Sequence, residues 1–152
     1  WGGVAGGDKL FLCLSSNHKT VENILERKAF TVSAADEAHL VEADYVGLVS
    51  GNDVPDKLER SGFHVTRSEF VDAPVIDELP LVLECKLVSY DPETHFLVGE
   101  IVNAGADEAI LDEAGMIDPA RLKPITFDPA NRAYWSLGRK VGNAFADGGR
   151  LK

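Results

Sequence analysis

A segment with a period-two pattern limits the fold of this chain more than any other feature of the sequence. Leucine or cysteine occupies every second position of 81–87, which is the alternation of a β-strand with one strongly apolar face. The loop Asp91–Thr94 then leads into a second apolar segment, 95–102. Two such segments joined by a loop of this length predict a long antiparallel hairpin. Because such a hairpin usually belongs to a barrel or a sandwich, we expect a mainly β domain.

Shorter strands are predicted on both sides of this hairpin. Each is a short apolar or β-branched run between turn residues, and together they span 9–14, 30–33, 64–67 and 124–127. Apart from Lys9 the run at 9–14 is apolar, so we expect that strand to be buried on both faces.

Apolar residues at helical spacing predict three helices. Thr20 is the expected N-cap of the first helix, and Ser33 begins the second, which ends at Gly51. The third is a short helix at 56–60. Near the end of the chain, 131–138 is predicted to be a loop that carries aromatic residues.

The charge and length of the chain limit its possible partners and its number of domains. It has 152 residues, with 25 acidic and 15 basic side chains and a net charge of -10. A surface this acidic repels nucleic-acid phosphates, and no apolar run is long enough to span a bilayer, so we expect no nucleic-acid partner and no membrane. We interpret 1–152 as a single α+β domain. Cys13 and Cys85 lie in apolar runs without metal-binding spacing, which indicates buried thiols in a cytoplasmic protein.

Familiar catalytic motifs are absent from the sequence. The four histidines are scattered without the spacing of metal ligands. There is no G-x-S-x-G elbow, no Walker A loop and no G-x-G-x-x-G after a strand. We therefore predict no metal site.

The polar segment 15–20 is the most informative candidate binding site. It joins a predicted strand to the N-terminus of a predicted helix, and it consists of Ser15, Ser16, Asn17, His18, Lys19 and Thr20. Polar side chains, backbone N–H groups and the positive end of a helix dipole together favour a bound anion such as a phosphate. The alternative is that these residues only form a turn and cap a helix.

Two further sets of residues are candidates for the same site. Lys57 could add a second positive charge, although an exposed helix lysine is the alternative. Trp1, Phe127, Tyr134 and Trp135 could provide flat contacts to a ring system. They could equally be aromatics of the core or of a dimer interface.

Several blocks of this sequence occur in the order of one known family. The blocks are 1–3, 15–24, 30–33, 42–51 with 56–57, 70–74, 81–87, 95–101 and 132–134. Their ordered combination resembles the flavin reductase-like, FMN-binding split-barrel family, and its flavoredoxin-like subgroup in particular. The resemblance covers nearly the whole chain.

The resemblance implies an antiparallel split β-barrel with peripheral helices, which binds FMN without a covalent bond and forms a homodimer. The phosphate and ribityl chain of FMN would lie against Ser15, Ser16, Asn17, His18 and Thr20. Lys57 matches a lysine near the cofactor, and Trp1 lies in the segment that follows the isoalloxazine edge. His95 and an aromatic residue, Phe127 or Tyr134, match positions that approach the cofactor. Because family members carry a hairpin before the segment that matches Trp1, we expect the chain as given to lack an N-terminal hairpin.

Three functions remain open, of which the first two follow from this resemblance and the third is unrelated to it. The first is an FMN-dependent oxidoreductase that takes electrons from a reduced nicotinamide or from a protein electron donor of low potential. The second is a non-enzymatic FMN-binding electron carrier, and the third is a cofactor-free ligand-binding barrel. In the first two the flavin carries the redox chemistry, so no catalytic residue is assigned.

Overall fold

A five-stranded antiparallel sheet is the centre of the protein, which a computed structural model describes for residues 2–152. In spatial order its strands are β1 (Gly2–Gly6), β2 (Lys9–Cys13), β7 (Phe96–Ala106), β6 (Leu81–Tyr90) and β3 (Ala29–Ser33). Within the described residues β1 and β3 are the two edges, so the sheet is not closed. The mainly β, antiparallel fold with peripheral helices is confirmed.

Two small sheets and four helices surround the central sheet in residues 2–152. One small sheet pairs β4 (Val65–Arg67) with β5 (Pro74–Ile76), and the other pairs β8 (Ile125–Asp128) with β9 (Ala133–Ser136). The helices are α1 (Lys19–Arg27), α2 (Leu40–Leu48), α3 (Lys57–Ser61) and α4 (Pro119–Leu122). Two 3-10 helices span Glu108–Ile110 and Asp147–Leu151. No helix in this part of the chain is both long and apolar enough to cross a bilayer.

The long hairpin predicted from the period-two pattern is confirmed. β6 and β7 pair antiparallel, with Cys85 opposite Ile101 and Leu87 opposite Gly99. One face of this hairpin packs on the main hydrophobic core, whose buried residues are Leu10, Ile24, Phe30, Cys85 and Leu97. The alternating apolar residues therefore lie on the face of the sheet that encloses the core, together with residues of α1, β2 and β3.

The prediction that the strand at 9–14 is buried on both faces is wrong. Leu10 of β2 lies in the core, but Phe11 is 40% exposed. Phe96 of β7 lies on the same face as Phe11, because Cys13 pairs with Phe96 and Phe11 with Val98, and Phe96 is also exposed. The described residues thus cover only one face of β2.

The predicted starts of the first two helices are also wrong. His18, not Thr20, is the N-cap residue of α1, and its side chain makes no capping hydrogen bond. Ser33 is the last residue of β3, where it pairs with Val82, and α2 begins only at Leu40. Pairing with β6 satisfies the backbone of Ser33 in an extended conformation, and this overrides its preference for a helix cap.

The predicted aromatic loop at 131–138 contains a strand instead. β9 pairs with β8, so that Phe127 lies opposite Tyr134 and Thr126 opposite Trp135. Aromatic residues fit a pleated strand well, and the cross-strand pair of Phe127 and Tyr134 rings stabilises the hairpin.

Candidate functional site

The polar segment predicted to bind an anion forms a tight loop between β2 and α1. Leu14 N–H donates to the carbonyl of His95 (2.9 Å), so the loop starts where β2 leaves β7. His18 N–H then donates to the carbonyl of Ser15 (3.1 Å), which closes the turn. Ser16, Asn17, His18 and Thr20 are exposed, and Ser15 is partly buried. The loop therefore presents its polar groups at the N-terminus of α1.

The loop holds a set of unused hydrogen-bond donors. In residues 2–152, no acceptor meets the backbone N–H groups of Ser16, Asn17, Lys19 or Thr20, and the hydroxyls of Ser15, Ser16 and Thr20 also lack a partner. The first N–H groups of a helix have no acceptor within the helix, and they form the positive end of its dipole. Such an array is suited to an anion with several acceptor oxygens, for which phosphate is the common biological example.

A second loop, between α2 and α3, packs against this one. The Asn52 side-chain amide donates to the Asn17 carbonyl (3.3 Å). Gly51 lies between two lysines, because a Cβ at this position would stand 3.4 Å from Lys19 Cβ and 3.9 Å from Lys57 Cε. The glycine thus lets the aliphatic parts of both lysine side chains approach this turn, which packs on the loop at 15–20.

Lys57 is not the exposed helix lysine of the alternative interpretation. It is partly buried, and its ammonium group donates to the carbonyls of Val46 (2.9 Å) and Val49 (3.1 Å). These carbonyls belong to the C-terminal end of α2, where the helix dipole favours a cation. An ammonium group has three N–H donors, so one remains for a ligand.

His95 lies next to the start of the same loop. Its φ of 62° is in the left-handed region, which is uncommon for a residue other than glycine. Its Nδ1 is buried and has no hydrogen-bond partner in residues 2–152. A buried polar atom without a partner costs free energy, and such atoms are rare in native structures. A bound ligand with a complementary group would satisfy it.

Phe127 and Tyr134 form a separate pair beside α2. Their ring centroids are 5.4 Å apart at an interplanar angle of 48°. The Tyr134 hydroxyl donates to Asp44 Oδ1 of α2 (2.7 Å), and this hydrogen bond raises the pKa of Tyr134 above its usual value. The pair therefore adjoins the middle of α2, the helix whose C-terminal end holds Lys57, rather than the loop at 15–20 itself. Trp1 lies outside the described residues.

The structure adds two residues, Gly51 and Asn52, to those that the sequence indicated. Lys19 forms an ion pair with Glu22 Oε1 (2.7 Å). Ser50, Gly51 and Asn52 have the composition of a turn, but nothing local in the sequence shows that this turn packs on residue 17.

Two clefts of about 390 and 560 Å³ open at the opposite end of α1. Arg27 and Asp72 contribute to both, and their other lining residues fall within 23–29, 65–74 and 86–87. None of the predicted site residues lines either cleft. In residues 2–152, no group of three or more His, Cys, Asp or Glu side chains could hold a metal ion.

Comparison with known proteins identifies the family. The model of the flavin reductase-like domain matches residues 8–128. The chain belongs to the flavin reductase-like family. The match begins before β2 and ends with β8, so it includes the loop at 15–20, Lys57 and His95.

Solved structures of two flavoredoxins are similar to this family member over almost its whole length. Flavoredoxin of Desulfovibrio vulgaris (Miyazaki F) is 33% identical with a TM-score of 0.91, and the match covers 97% of this chain and 81% of that chain. Flavoredoxin from Methanosarcina acetivorans is 31% identical with a TM-score of 0.90, and the match covers 100% of this chain and 82% of that chain.

Two other matches are a solved domain with the same fold and a curated relative of greater length. The FMN-binding domain of a flavin reductase-like enzyme from Shewanella baltica OS155 has a TM-score of 0.78 at 23% identity, over 89% of this chain and 73% of that one. An uncharacterized protein of Aquifex aeolicus is 32% identical over 111 residues, which are 70% of this chain and 55% of that protein. The chain thus spans about half the length of the curated relatives that it matches.

Proposed function

We propose that this protein binds FMN and acts as a flavin reductase-like oxidoreductase, with electrons supplied by a reduced nicotinamide or by a low-potential protein donor. The observation that carries the proposal is the set of donors at 15–20 that lack a partner in residues 2–152, with the Lys57 side chain nearby, in a member of the flavin reductase-like family. The bound FMN would supply the redox chemistry, because flavins exchange a hydride or single electrons.

The residues present fit the phosphate end of FMN. Four N–H groups and three hydroxyls that meet no acceptor in residues 2–152 can donate to a phosphate, whose charge the two lysines and the N-terminus of α1 would balance. The buried, unpartnered Nδ1 of His95 would find a partner in a polar group of the same ligand. These side chains bind and orient the cofactor, and none is assigned an acid or base role.

Comparing FMN with riboflavin tests the proposed site directly, because riboflavin lacks the phosphate. We expect FMN to bind at least tenfold more tightly in an equilibrium titration followed by flavin fluorescence. Lys19→Ala, which removes a charge beside the loop, should reduce the difference, and Lys86→Ala, an exposed lysine on β6, should not. Equal affinities for FMN and riboflavin would contradict a phosphate site at 15–20. No binding of either flavin would favour the cofactor-free barrel.

A non-enzymatic FMN-binding electron carrier is the second candidate function. The carrier is favoured because the sequence is more similar to the two flavoredoxins, at 33% and 31% identity, than to the Shewanella baltica flavin reductase-like enzyme, at 23% identity. Steady-state oxidation of NADH and NADPH with free flavin as acceptor separates the two candidates. Turnover supports the oxidoreductase. Tight FMN binding without turnover supports the carrier.

A cytoplasmic location is part of the same proposal. No disulfide joins Cys13 and Cys85, and Cys85 is fully buried. Burial raises the pKa of the Cys85 thiol to about 11, which keeps it protonated and unreactive near neutral pH. Buried thiols of this kind are consistent with a reducing compartment.

A further inference from the structure

The smaller of the two clefts, of about 390 Å³, lies between the C-terminal end of α1 and the segment 70–72. Its volume is within the range of sites that hold small molecules. The loop at 15–20 is at the other end of α1, and a helix of this length spans about 14 Å. The cleft is therefore a candidate site separate from that loop.

The charged residues that line the cleft favour an anion. Three are basic, Arg27, Lys28 and Lys86, and one is acidic, Asp72, so their net charge is +2 in a protein of net charge -10. Arg27 is paired with Asp72 (3.4 Å) and with Glu26 (3.7 Å). The negative end of the α1 dipole, equivalent to about half a charge, also lies here. It offsets only part of the charge of Lys28 and Lys86, whose ammonium groups have no partner in residues 2–152.

The carboxylates near Lys86 are engaged by other side chains. Asp72 accepts a second hydrogen bond from Arg67 Nη2 (3.1 Å), so two arginines share it. Glu100 lies opposite Lys86 across β6 and β7, but its carboxylate is paired with Lys9 (3.5 Å). Because neither carboxylate is paired with Lys86, the charge of this lysine is available to a ligand.

The apolar part of the cleft is preformed and includes an aromatic ring. Phe70 is 57% exposed, and it lines the cleft together with Val71 and Leu87. Ser68 Oγ accepts hydrogen bonds from the N–H groups of Phe70 (2.9 Å) and Val71 (2.9 Å), and its hydroxyl donates to the buried carboxylate of Glu84. The turn that carries Phe70 is thus attached to β6. A ligand that enters a preformed cleft loses less free energy in ordering the protein.

We propose that this cleft binds a small aromatic anion of the aryl carboxylate type. Its ring would pack on Phe70 in the offset or edge-to-face arrangement that aromatic pairs prefer, and its carboxylate would lie near Lys28 and Lys86. An anion without a ring would use only the charges, and a neutral ring would use only the apolar part. The site is separate from the candidate cofactor site, so the proposal does not rest on flavin binding.

Equilibrium dialysis of the full chain with naphthoate tests the class of ligand. The neutral analogue naphthalenemethanol should bind about three- to tenfold more weakly, because it lacks the charge that the lysines attract. An equal concentration of acetate, which has the charge but no ring, should not displace naphthoate. No binding of naphthoate, equal affinities for naphthoate and naphthalenemethanol, or displacement by acetate would overturn the proposal.

Substitutions test the position and the sign of the charges. Lys86→Met keeps the length of the side chain and should weaken naphthoate binding about two- to fivefold, whereas Lys123→Met, at an exposed lysine outside the cleft, should not. Asp72→Asn removes the one carboxylate that lines the cleft and should strengthen binding by a similar factor. Damage to the fold would weaken binding, so tighter binding by Asp72→Asn is explained only by the charges. Unchanged or weaker binding by this variant, or equal losses in the two lysine variants, would overturn the proposal.

Two further measurements locate the bound probe. Phe70→Ala should weaken naphthoate binding about two- to tenfold, because the ring of the ligand loses its aromatic partner. Saturating FMN should leave the dissociation constant of naphthoate unchanged, because the loop at 15–20 is at the other end of α1. Unchanged binding by Phe70→Ala, or displacement of naphthoate by FMN, would show that the probe binds elsewhere and would overturn the proposal.

Discussion

The ammonium group of Lys57 donates to the carbonyls of Val46 and Val49 at the C-terminal end of α2, and its side chain approaches Gly51 in the turn that packs on the loop at 15–20. Lys57→Ala should therefore lower the free energy of unfolding by about 1–3 kcal/mol, because the carbonyls of Val46 and Val49 lose a charged donor. It should also weaken FMN binding or lower the flavin reduction potential. Chemical denaturation, FMN titration and spectroelectrochemistry measure these effects.

Lys86→Ala is the matched control for this prediction, since Lys86 is exposed on β6 and makes no ion pair in residues 2–152. Lys57→Arg keeps the charge and should retain part of the FMN affinity. An unchanged FMN dissociation constant and flavin potential in Lys57→Ala would leave the lysine a purely structural role at the end of α2.

The hydrogen bond from Tyr134 to Asp44 makes a pH-dependent contribution to stability. It raises the pKa of Tyr134 above the ordinary value of about 10, so its contribution is present below pH 10 and is lost as the pH rises through the folded-state pKa. Asp44→Asn should return the tyrosine pKa towards its ordinary value, as measured by the ultraviolet absorbance of tyrosinate. Asp53→Asn, at an exposed carboxylate, serves as the control, and an equal effect of both substitutions would argue against the bond.

At the scale of secondary-structure elements, Glu84 attaches the segment after β4 to the central sheet. Its buried carboxylate accepts hydrogen bonds from the Ser68 hydroxyl and from Asn103 Nδ2 (3.1 Å). Ser68→Ala should lower the free energy of unfolding by about 1–3 kcal/mol, because a buried carboxylate loses a donor. Urea denaturation followed by circular dichroism measures this. Ser89→Ala, exposed on β6, should have almost no effect, and equal losses from the two substitutions would contradict the role of Glu84.

The packing of β7 on the core requires a glycine at position 99. A Cβ there would stand 2.4 Å from Phe30 Cζ, on a ring that is itself buried in the core. Gly99→Ala should therefore destabilise the protein by about 1–3 kcal/mol in thermal or urea unfolding. Gly47→Ala is the matched control, because a Cβ at this position of α2 meets nothing within 4 Å and should stabilise the helix by up to about 1 kcal/mol.

The elements that could be predicted were those in which apolar residues recur with a clear period. The β6–β7 hairpin and β3 lie where the pattern places them, because alternating burial is written into the sequence itself. The sequence pattern did not predict β9, and it placed the start of α2 too early, at Ser33 instead of Leu40. In both cases pairing with a neighbouring strand, Tyr134 with Phe127 and Ser33 with Val82, outweighs local preference.

At the scale of the whole molecule, cofactor binding should stabilise the fold. A ligand at a hundred times its dissociation constant adds about 2.7 kcal/mol to the free energy of unfolding. For a domain of this size that corresponds to a rise in Tm of about 5–11 °C. Differential scanning fluorimetry with FMN should show this rise, and riboflavin at the same concentration should show a smaller one. An unchanged Tm at saturating FMN would contradict the proposed site.

The sequence by itself determined the mainly antiparallel fold and the family, and it pointed to the polar loop at 15–20 as the candidate place for an anion. These follow from local periodicity, from the order of blocks and from residue chemistry, all of which are properties of contiguous segments. Only the tertiary structure decided that Gly51 and Asn52 pack on this loop, that Lys57 is held by the end of α2, and that Nδ1 of His95 is buried without a partner. These depend on contacts between residues far apart in the chain, and a local pattern carries no information about such contacts.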